Sequence, residues 1–209
     1  MNCLLCHADS SSFLLGTFMC SECKLVFKNP EIFWNTDQDQ KRYTTHNNTS
    51  ADQGYVDFLK KLVDPLKPFL PKKFVSLDFG CGPGPTLSGL LKELGGHVEN
   101  YDPIFFPDAH LLIPESYDVV TSSEVVEHFK IPNENWDTLV DLVKDGGLLA
   151  IMTLLYSPEI DFKQWWYKND PTHVVFYQTE TINFLAEKYN LEILYTDNKS
   201  IIILKKREF

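Results

Sequence analysis

The 209-residue sequence predicts an α/β fold: a Rossmann-like, doubly wound and mostly parallel sheet with a C-terminal antiparallel hairpin, behind a small cysteine-stapled module. Three observations carry that prediction. Short apolar strands alternate with amphipathic helical stretches between residues 74 and 155, the pattern of βαβ units. A glycine-rich turn, Gly80-Cys81-Gly82-Pro83-Gly84, joins the first of these strands to its helix, and four cysteines in two close pairs occupy the first 23 residues.

The length suits one full domain with an appendage, divided as a module over 1–30, a polar and aromatic linker over 31–50 and the α/β domain over 51–209. A composition of 44% hydrophobic and 23% charged residues excludes extensive disorder. The net charge of −10, from 29 acidic and 19 basic residues, argues against nucleic acid as a partner, because neutralising phosphates takes clustered lysine and arginine. The chain starts without the basic region and apolar run of a secretory signal, and no stretch reaches the roughly 18 apolar residues of a membrane span. The expectation is a cytoplasmic protein with no membrane partner, where paired cysteines serve metals more often than disulfides.

Cys3-x2-Cys6 and Cys20-x2-Cys23 are separated by 13 residues. Each pair suits a tight turn that presents two thiolates to one tetrahedral Zn²⁺, so Cys3, Cys6, Cys20 and Cys23 are the expected ligands of a zinc-ribbon-like module. Four thiolates leave no open position, which makes that zinc structural. His7, beside Cys6, is either a substitute ligand or exposed. Tyr55, Phe58, Leu59, Leu62 and Leu66 recur at helical spacing, with Pro65 and Pro68 set to end or kink the helix. Phe74 to Phe79 reads as a strand. Leu87, Leu90, Leu91 and Leu94 mark a helix stopped by Gly95-Gly96, and His97 to Tyr101 the next strand, ending at Asp102. Tyr117 to Thr121 is a strand, a helix around Trp136 closes at Gly146-Gly147, and Leu148 to Leu155 is a buried strand. Thr179 is the expected N-cap of a helix through Ile182, Leu185 and Tyr189. Strands at Leu191 to Tyr195 and Ile201 to Leu204 then bracket a turn.

The turn after Phe79 is the most informative segment. Glycine tolerates positive φ and lets a ligand approach the backbone, and the following helix offers unpaired N–H groups. Asp78 precedes Gly80 by two places, and Asp102 ends the following strand. A ligand-free tight turn and a dinucleotide site are the alternatives, but the dinucleotide fingerprint needs a glycine at position 85, where Pro stands.

These residues resemble class I S-adenosylmethionine (SAM)-dependent methyltransferases, whose first motif is matched by Asp78, Gly80, Gly82 and Gly84. Further matches are Tyr117-Asp118-Val119-Val120, Glu124-Val125-Val126-Glu127-His128 and Gly146-Gly147-Leu148. The resemblance implies that the loop, with Cys81 packed in it, wraps the methionine part of SAM. It also implies that Asp102 accepts from the ribose hydroxyls, that Ser123 and Glu124 line the cofactor site, and that Tyr43 and His46 precede the domain where relatives fold a helix over SAM. Only the 14 residues from Pro103 to Ser116 separate Asp102 from the next strand, so the usual third strand is abbreviated, with Asp108-Ala109 a remnant of the adenine-contacting turn. Similar cysteine modules precede methyltransferase domains that act on sugar nucleotides or other small metabolites, and occur in some RNA methyltransferases.

SAM carries an activated methyl, so the chain must align a nucleophile and, for a weakly acidic one, remove its proton. His128, after the fourth strand, and His173, within Asp170-Pro171-Thr172-His173, are the candidate bases. Trp165, Trp166 and Tyr167 either wall a flat substrate or belong to the core. Ser122-Ser123-Glu124 stands where resembling nucleobase N-methylating enzymes carry Asn/Asp-Pro-Pro-aromatic. The reading is therefore an enzyme that transfers a methyl group to an oxygen or carbon of a small molecule. A non-catalytic binding or regulatory protein and an RNA or protein methyltransferase are the alternatives.

Overall fold

A computed structural model describes residues 1–44 and 49–208. The first three strands, β1 (Ser10–Ser12), β2 (Thr17–Cys20) and β3 (Val26–Lys28), form an antiparallel meander around the cysteine pairs. Helix α1 (Thr36–Tyr43) follows, in the stretch read as linker. It is started by a capping box, in which the Asn35 side chain accepts from the Gln38 N–H and the Gln38 side chain accepts from the Asn35 N–H. Helix α2 (Gln53–Leu66) is capped by Asp52, and it carries Pro65 without breaking, because the proline lies one residue from the helix end and removes a single hydrogen bond there.

The central sheet is built from β4 (Phe74–Phe79), α3 (Thr86–Glu93), β5 (Gly96–Tyr101), β6 (Tyr117–Ser123), α4 (Pro132–Leu142) and β7 (Val143–Met152). Helix α4 runs into β7 with no intervening loop, so Gly146-Gly147 lies inside the strand and not at the helix end. The pairing with β6 shifts register between Tyr117 and Val119, and Gly146 takes φ +75°. After β8 (Val175–Phe176), helix α5 (Thr179–Lys188) starts from Gln178, not Thr179: the Gln178 N–H bonds Thr181 Oγ1 in a capping box. Strands β9 (Leu191–Thr196) and β10 (Ile201–Lys206) form the terminal hairpin.

Strand order is β5-β4-β6-β7-β10-β9, parallel through the first four and antiparallel at β10 and β9. Side chains alternate between two cores with the period of two that a strand imposes. Val119, Leu148, Ala150, Met152, Ile201 and Ile203 face α2 and α3. Val120, Leu149, Ile151, Ile202 and Leu204 face α4, α5 and the cysteine module. Between β5 and β6 the described chain holds only a short 3-10 turn, Ala109–Leu111, so β5 is the sheet edge. The abbreviation expected from 14 residues is the loss of a strand.

The cysteine module shares its packing with the large domain. Strand β3 pairs with β8, Val26 opposite Phe176 and Phe27 opposite Val175, and Cys3, Leu5, Cys23 and Phe27 lie in one core with Leu77, Trp136 and Ile202. A second cluster of Val26, Tyr156, Phe162, Trp165, Tyr167 and Phe176 fills the join. Trp165 and Tyr167 are therefore core residues, whereas Trp166 is exposed. No helix among the described residues is long and apolar enough to cross a membrane.

The β9–β10 turn depends on Asp197, whose Oδ1 accepts from the N–H groups of Lys199, Ser200 and Ile201. Burial raises its pKa, and these bonds more than offset that, so the net shift is downward. A carboxyl with a depressed folded-state pKa stabilises above its unfolded value near 3.9 and loses that contribution as pH falls through the folded value. Asp197→Ala is expected to cost about 1–2 kcal/mol at pH 7 in urea unfolding, with the gap to wild type narrowing as pH falls through the depressed folded-state pKa. A gap independent of pH would contradict the charge-based account.

Candidate active site

Two groups of residues meet at the C-terminal edge of the parallel strands, the usual position for a ligand in an open α/β sheet. The first is the glycine loop. Gly80 (φ +77°) and Gly82 (φ +65°) take the left-handed conformation, and the Gly80 and Cys81 N–H groups both bond Tyr101 O, at 2.7 and 3.1 Å. A Cβ at Gly80 would overlap the side chain of Val125, while one at Gly82 would meet open space. Gly80 is thus set by packing, whereas Gly82 leaves the backbone open to a ligand. The loop leads past Gly84 into α3, whose first turn has no side-chain cap.

Asp78 is buried, and Thr121 Oγ1 donates to its Oδ1 at 3.0 Å. Burial, reinforced by the charge of Asp102 and opposed by the threonine bond, pushes its pKa up to about 7. Tyr55 of α2 stands beside Asp78, Glu124 and Cys81, and burial with those charges raises its phenol to about 12. Burial, then Asp78 and Asp102, also raise the Cys81 thiol, which keeps it protonated and marks it as packing and not a nucleophile. Asp102 is itself tied down: Oδ1 accepts from the Ile104 and Phe105 N–H groups and Oδ2 from Gly82 N–H. One Oδ2 lone pair remains for a ligand. Beside it lies an open groove of about 700 Å³ lined by residues including Asn100, Phe105, Phe106 and Asp108.

The second group follows β6. Glu124 takes φ +54°, and its N–H bonds Met152 O at 2.7 Å. Glu127 is fully buried, with its carboxylate accepting from the Tyr167 hydroxyl at 2.6 Å and from Thr153 Oγ1 at 2.9 Å. Burial, then the neighbouring Glu127 charge, raises Glu124 to about 9, with Tyr167 partly opposing, so Glu124 is a neutral acid at pH 7. His128 and His173 stand ring to ring, centroids 4.9 Å apart. His128 Nδ1 lies 2.9 Å from Thr172 O, and His173 Nδ1 lies 2.8 Å from Tyr167 O. A carbonyl only accepts, so both Nδ1 atoms carry the proton and both Nε2 lone pairs are left over. Burial lowers the His173 pKa to about 4, with the charge of Glu127 partly opposing and that of His128 adding to the shift.

A methyltransferase-domain family model matches residues 50–196. The chain belongs to the methyltransferase-domain family. It is similar to the mitochondrial ubiquinone biosynthesis O-methyltransferase of Schizosaccharomyces pombe, 34% identical over 83 residues, a match that covers 40% of this chain and 24% of that protein. The chain thus matches about a quarter of that curated relative's length. Among solved structures it resembles a proposed methyltransferase from Bacillus halodurans (TM-score 0.55, 14% identity, 72% of this chain and 99% of that one). It also resembles a SAM-dependent methyltransferase from Methanosarcina mazei (0.52, 14%, 69% and 98%) and a protein from Pyrococcus horikoshii (0.53, 15%, 80% and 99%). At these identities the structures establish the fold.

Helix α1, ahead of the methyltransferase domain, lies against the imidazole side of the site. Tyr43 sets its ring edge against His128 at 5.3 Å, and burial followed by the Asp39 charge raises its phenol. Arg42 pairs with Asp170 Oδ2 at 2.8 Å, and Asp170 Oδ1 accepts from the Thr172 N–H and hydroxyl. Thr172 in turn supplies the carbonyl that orients His128. On the same helix Asp39 pairs with Lys130. His46 lies outside the described residues, Ser123 ends β6 half-buried, and His7 is exposed with Nε2 3.3 Å from Asn133.

The four cysteines converge as expected. Sγ separations are 3.6 Å for Cys3–Cys23, 3.4 Å for Cys6–Cys20 and 3.5 Å for Cys6–Cys23, close to the roughly 3.8 Å edge of a tetrahedron with ~2.3 Å metal–sulfur bonds and far beyond a disulfide bond. The set fits a zinc module. Sequence reading placed Glu127 in a motif without a role, gave Tyr55 only as a helix position and Tyr167 only as a substrate wall or core residue, and missed Thr153 and the Arg42–Asp170 clasp.

Gly80→Ala combines strain at positive φ with overlap on Val125, an expected loss of about 2–4 kcal/mol in denaturant unfolding. Adding Val125→Ala should restore the overlap part and leave the φ part, a coupling that a double-mutant cycle reads directly. Strict additivity would show that the two residues do not touch.

Proposed function

We propose that this chain is a SAM-dependent methyltransferase acting on an oxygen or carbon of a small-molecule acceptor, with His128 or His173 as the base. One observation carries the reading: the two imidazoles with uncommitted Nε2 lone pairs lie beside the segment, Glu124 to Val125, that packs on the glycine loop. SAM, when bound, supplies an electrophilic methyl on a sulfonium. Tyr43, Asp78, Gly80, Cys81, Gly82, Gly84, Asp102, Ser123 and Glu124 are the residues that would hold it. His128 or His173 would take the acceptor's proton at imidazole Nε2 as the methyl group is transferred. The buried histidine is neutral at pH 7, as this step requires. The similarity to an O-methyltransferase supports an oxygen acceptor, and the net charge of −10 disfavours nucleic acid.

Residues 1–30 form a structural zinc module on Cys3, Cys6, Cys20 and Cys23, joined by the stretch 31–50 to the methyltransferase domain of 51–209. The chain acts in the cytoplasm. A non-catalytic binding protein is the second reading, favoured by the three backbone N–H groups already held by Asp102.

The test pairs calorimetry with labelled-SAM turnover on a metabolite screen. The purified protein is expected to carry one zinc per chain, lost in Cys20→Ser, and to bind SAM. His128→Ala or His173→Ala should lower kcat about 10²–10⁴-fold with SAM affinity kept. Absence of SAM binding in zinc-loaded protein sinks the enzymatic reading. Full turnover in both variants sinks the assignment of the base.

A further inference from the structure

We propose that Glu127, His128 and His173 form a binding site for one first-row divalent cation, separate from the four-cysteine cluster. One nitrogen of each imidazole and one Glu127 oxygen lie within 4.8 Å of one another. A cation with bonds of about 2.1 Å spaces its ligand atoms roughly 3–4 Å apart, so the three side chains reach a common ion through small torsional adjustments.

The surroundings are built as a metal site's are. In such sites each ligating imidazole donates its other N–H to a carbonyl or carboxylate, which fixes the tautomer and aims the free nitrogen. Both histidines do so here, through Thr172 O and Tyr167 O. The carboxylate is oriented as well, by Tyr167 and Thr153. Tyr167 therefore supports two of the three ligands, its carbonyl holding His173 and its hydroxyl holding Glu127. Glu127 is fully buried, and among the described residues no lysine or arginine pairs with it. Its two hydroxyl donors take one lone pair on each oxygen, which leaves the other lone pairs for a divalent cation.

Two nitrogens with a carboxylate oxygen select Mn²⁺, Fe²⁺, Co²⁺ or Zn²⁺ over Ca²⁺ and Mg²⁺, which favour all-oxygen sets, and the absence of thiolate separates this site from the cysteine cluster. The site stands without methyl transfer. Its role, to hold an acceptor oxygen beside the glycine loop, rests on the methyltransferase reading above.

Mn²⁺ is the probe, because a four-thiolate site disfavours it. Zinc-loaded full-length protein, titrated with Mn²⁺ and followed by electron paramagnetic resonance, is expected to bind one Mn²⁺ per chain and to show ¹⁴N hyperfine coupling from imidazole. Glu127→Gln and His173→Ala should each weaken binding at least tenfold, while the zinc content stays at one. No stoichiometric binding, or binding without nitrogen coupling, overturns the proposal in the wild-type protein alone, whatever the variants' folding. Affinity unchanged in both folded variants overturns it as well. If Mn²⁺ binds with nitrogen coupling and SAM does not bind, the cation site stands and the methyltransferase reading falls.

Discussion

A carboxylate taken out of water must be met by donors in fixed places, and Glu127 is where this molecule meets that demand. Tyr167 and Thr153 answer it, and they come from segments far apart in the chain. Satisfying one buried group therefore pins the end of β7, the 165–173 segment and the turn after β6 to one another. The backbone joins in, with Val174 N–H bonding Glu127 O at 2.8 Å. The imidazole orientations follow from the same positions, because the carbonyls that hold them belong to Tyr167 and Thr172. A partly satisfied network of this kind would cost more than an apolar core, so its parts stand or fall together.

The cysteine module is tied to that network. Lys28 N–H bonds Val174 O, Lys28 Nζ bonds Asp170 O at 2.8 Å, and Gln178 Nε2 reaches back to Lys24 O. β8, which pairs with β3, begins two residues after His173. The element that a metal would staple thus forms one wall of the segment that carries a candidate base. A structural metal contributes to folding free energy directly, and here that contribution reaches the site through these hydrogen bonds and the β3–β8 pairing and not through a linker.

What was legible in the sequence was what is local. The glycine loop with Asp78 and Asp102, the cysteine spacing, the alternation of β6 and β7 and the terminal hairpin each rest on a few neighbouring residues with strong conformational preferences. Helix α1 was missed because Thr36 to Tyr43 offers Tyr43 as its single apolar residue, which leaves no periodicity to read. The Asn35-x-x-Gln38 capping box was the signal that marks its start. The boundary at Gly146-Gly147 misled because a bulged strand and a helix stop use glycine for the same reason, its tolerance of positive φ. Pairing of β3 with the two-residue β8, and the bonds from Tyr167 to Glu127 across 40 residues, leave no pattern in sequence. They are decided by which buried polar groups find partners once the chain is compact.

The imidazole tautomers test this account most directly. At pH 8, with zinc in the cysteine module and no second metal, two-dimensional ¹H–¹⁵N spectra of the imidazole rings should show His128 and His173 both protonated at Nδ1 with Nε2 bare. A proton on Nε2 of either ring would contradict it, since that ring's Nδ1 could not then donate to its carbonyl and no lone pair would face the site.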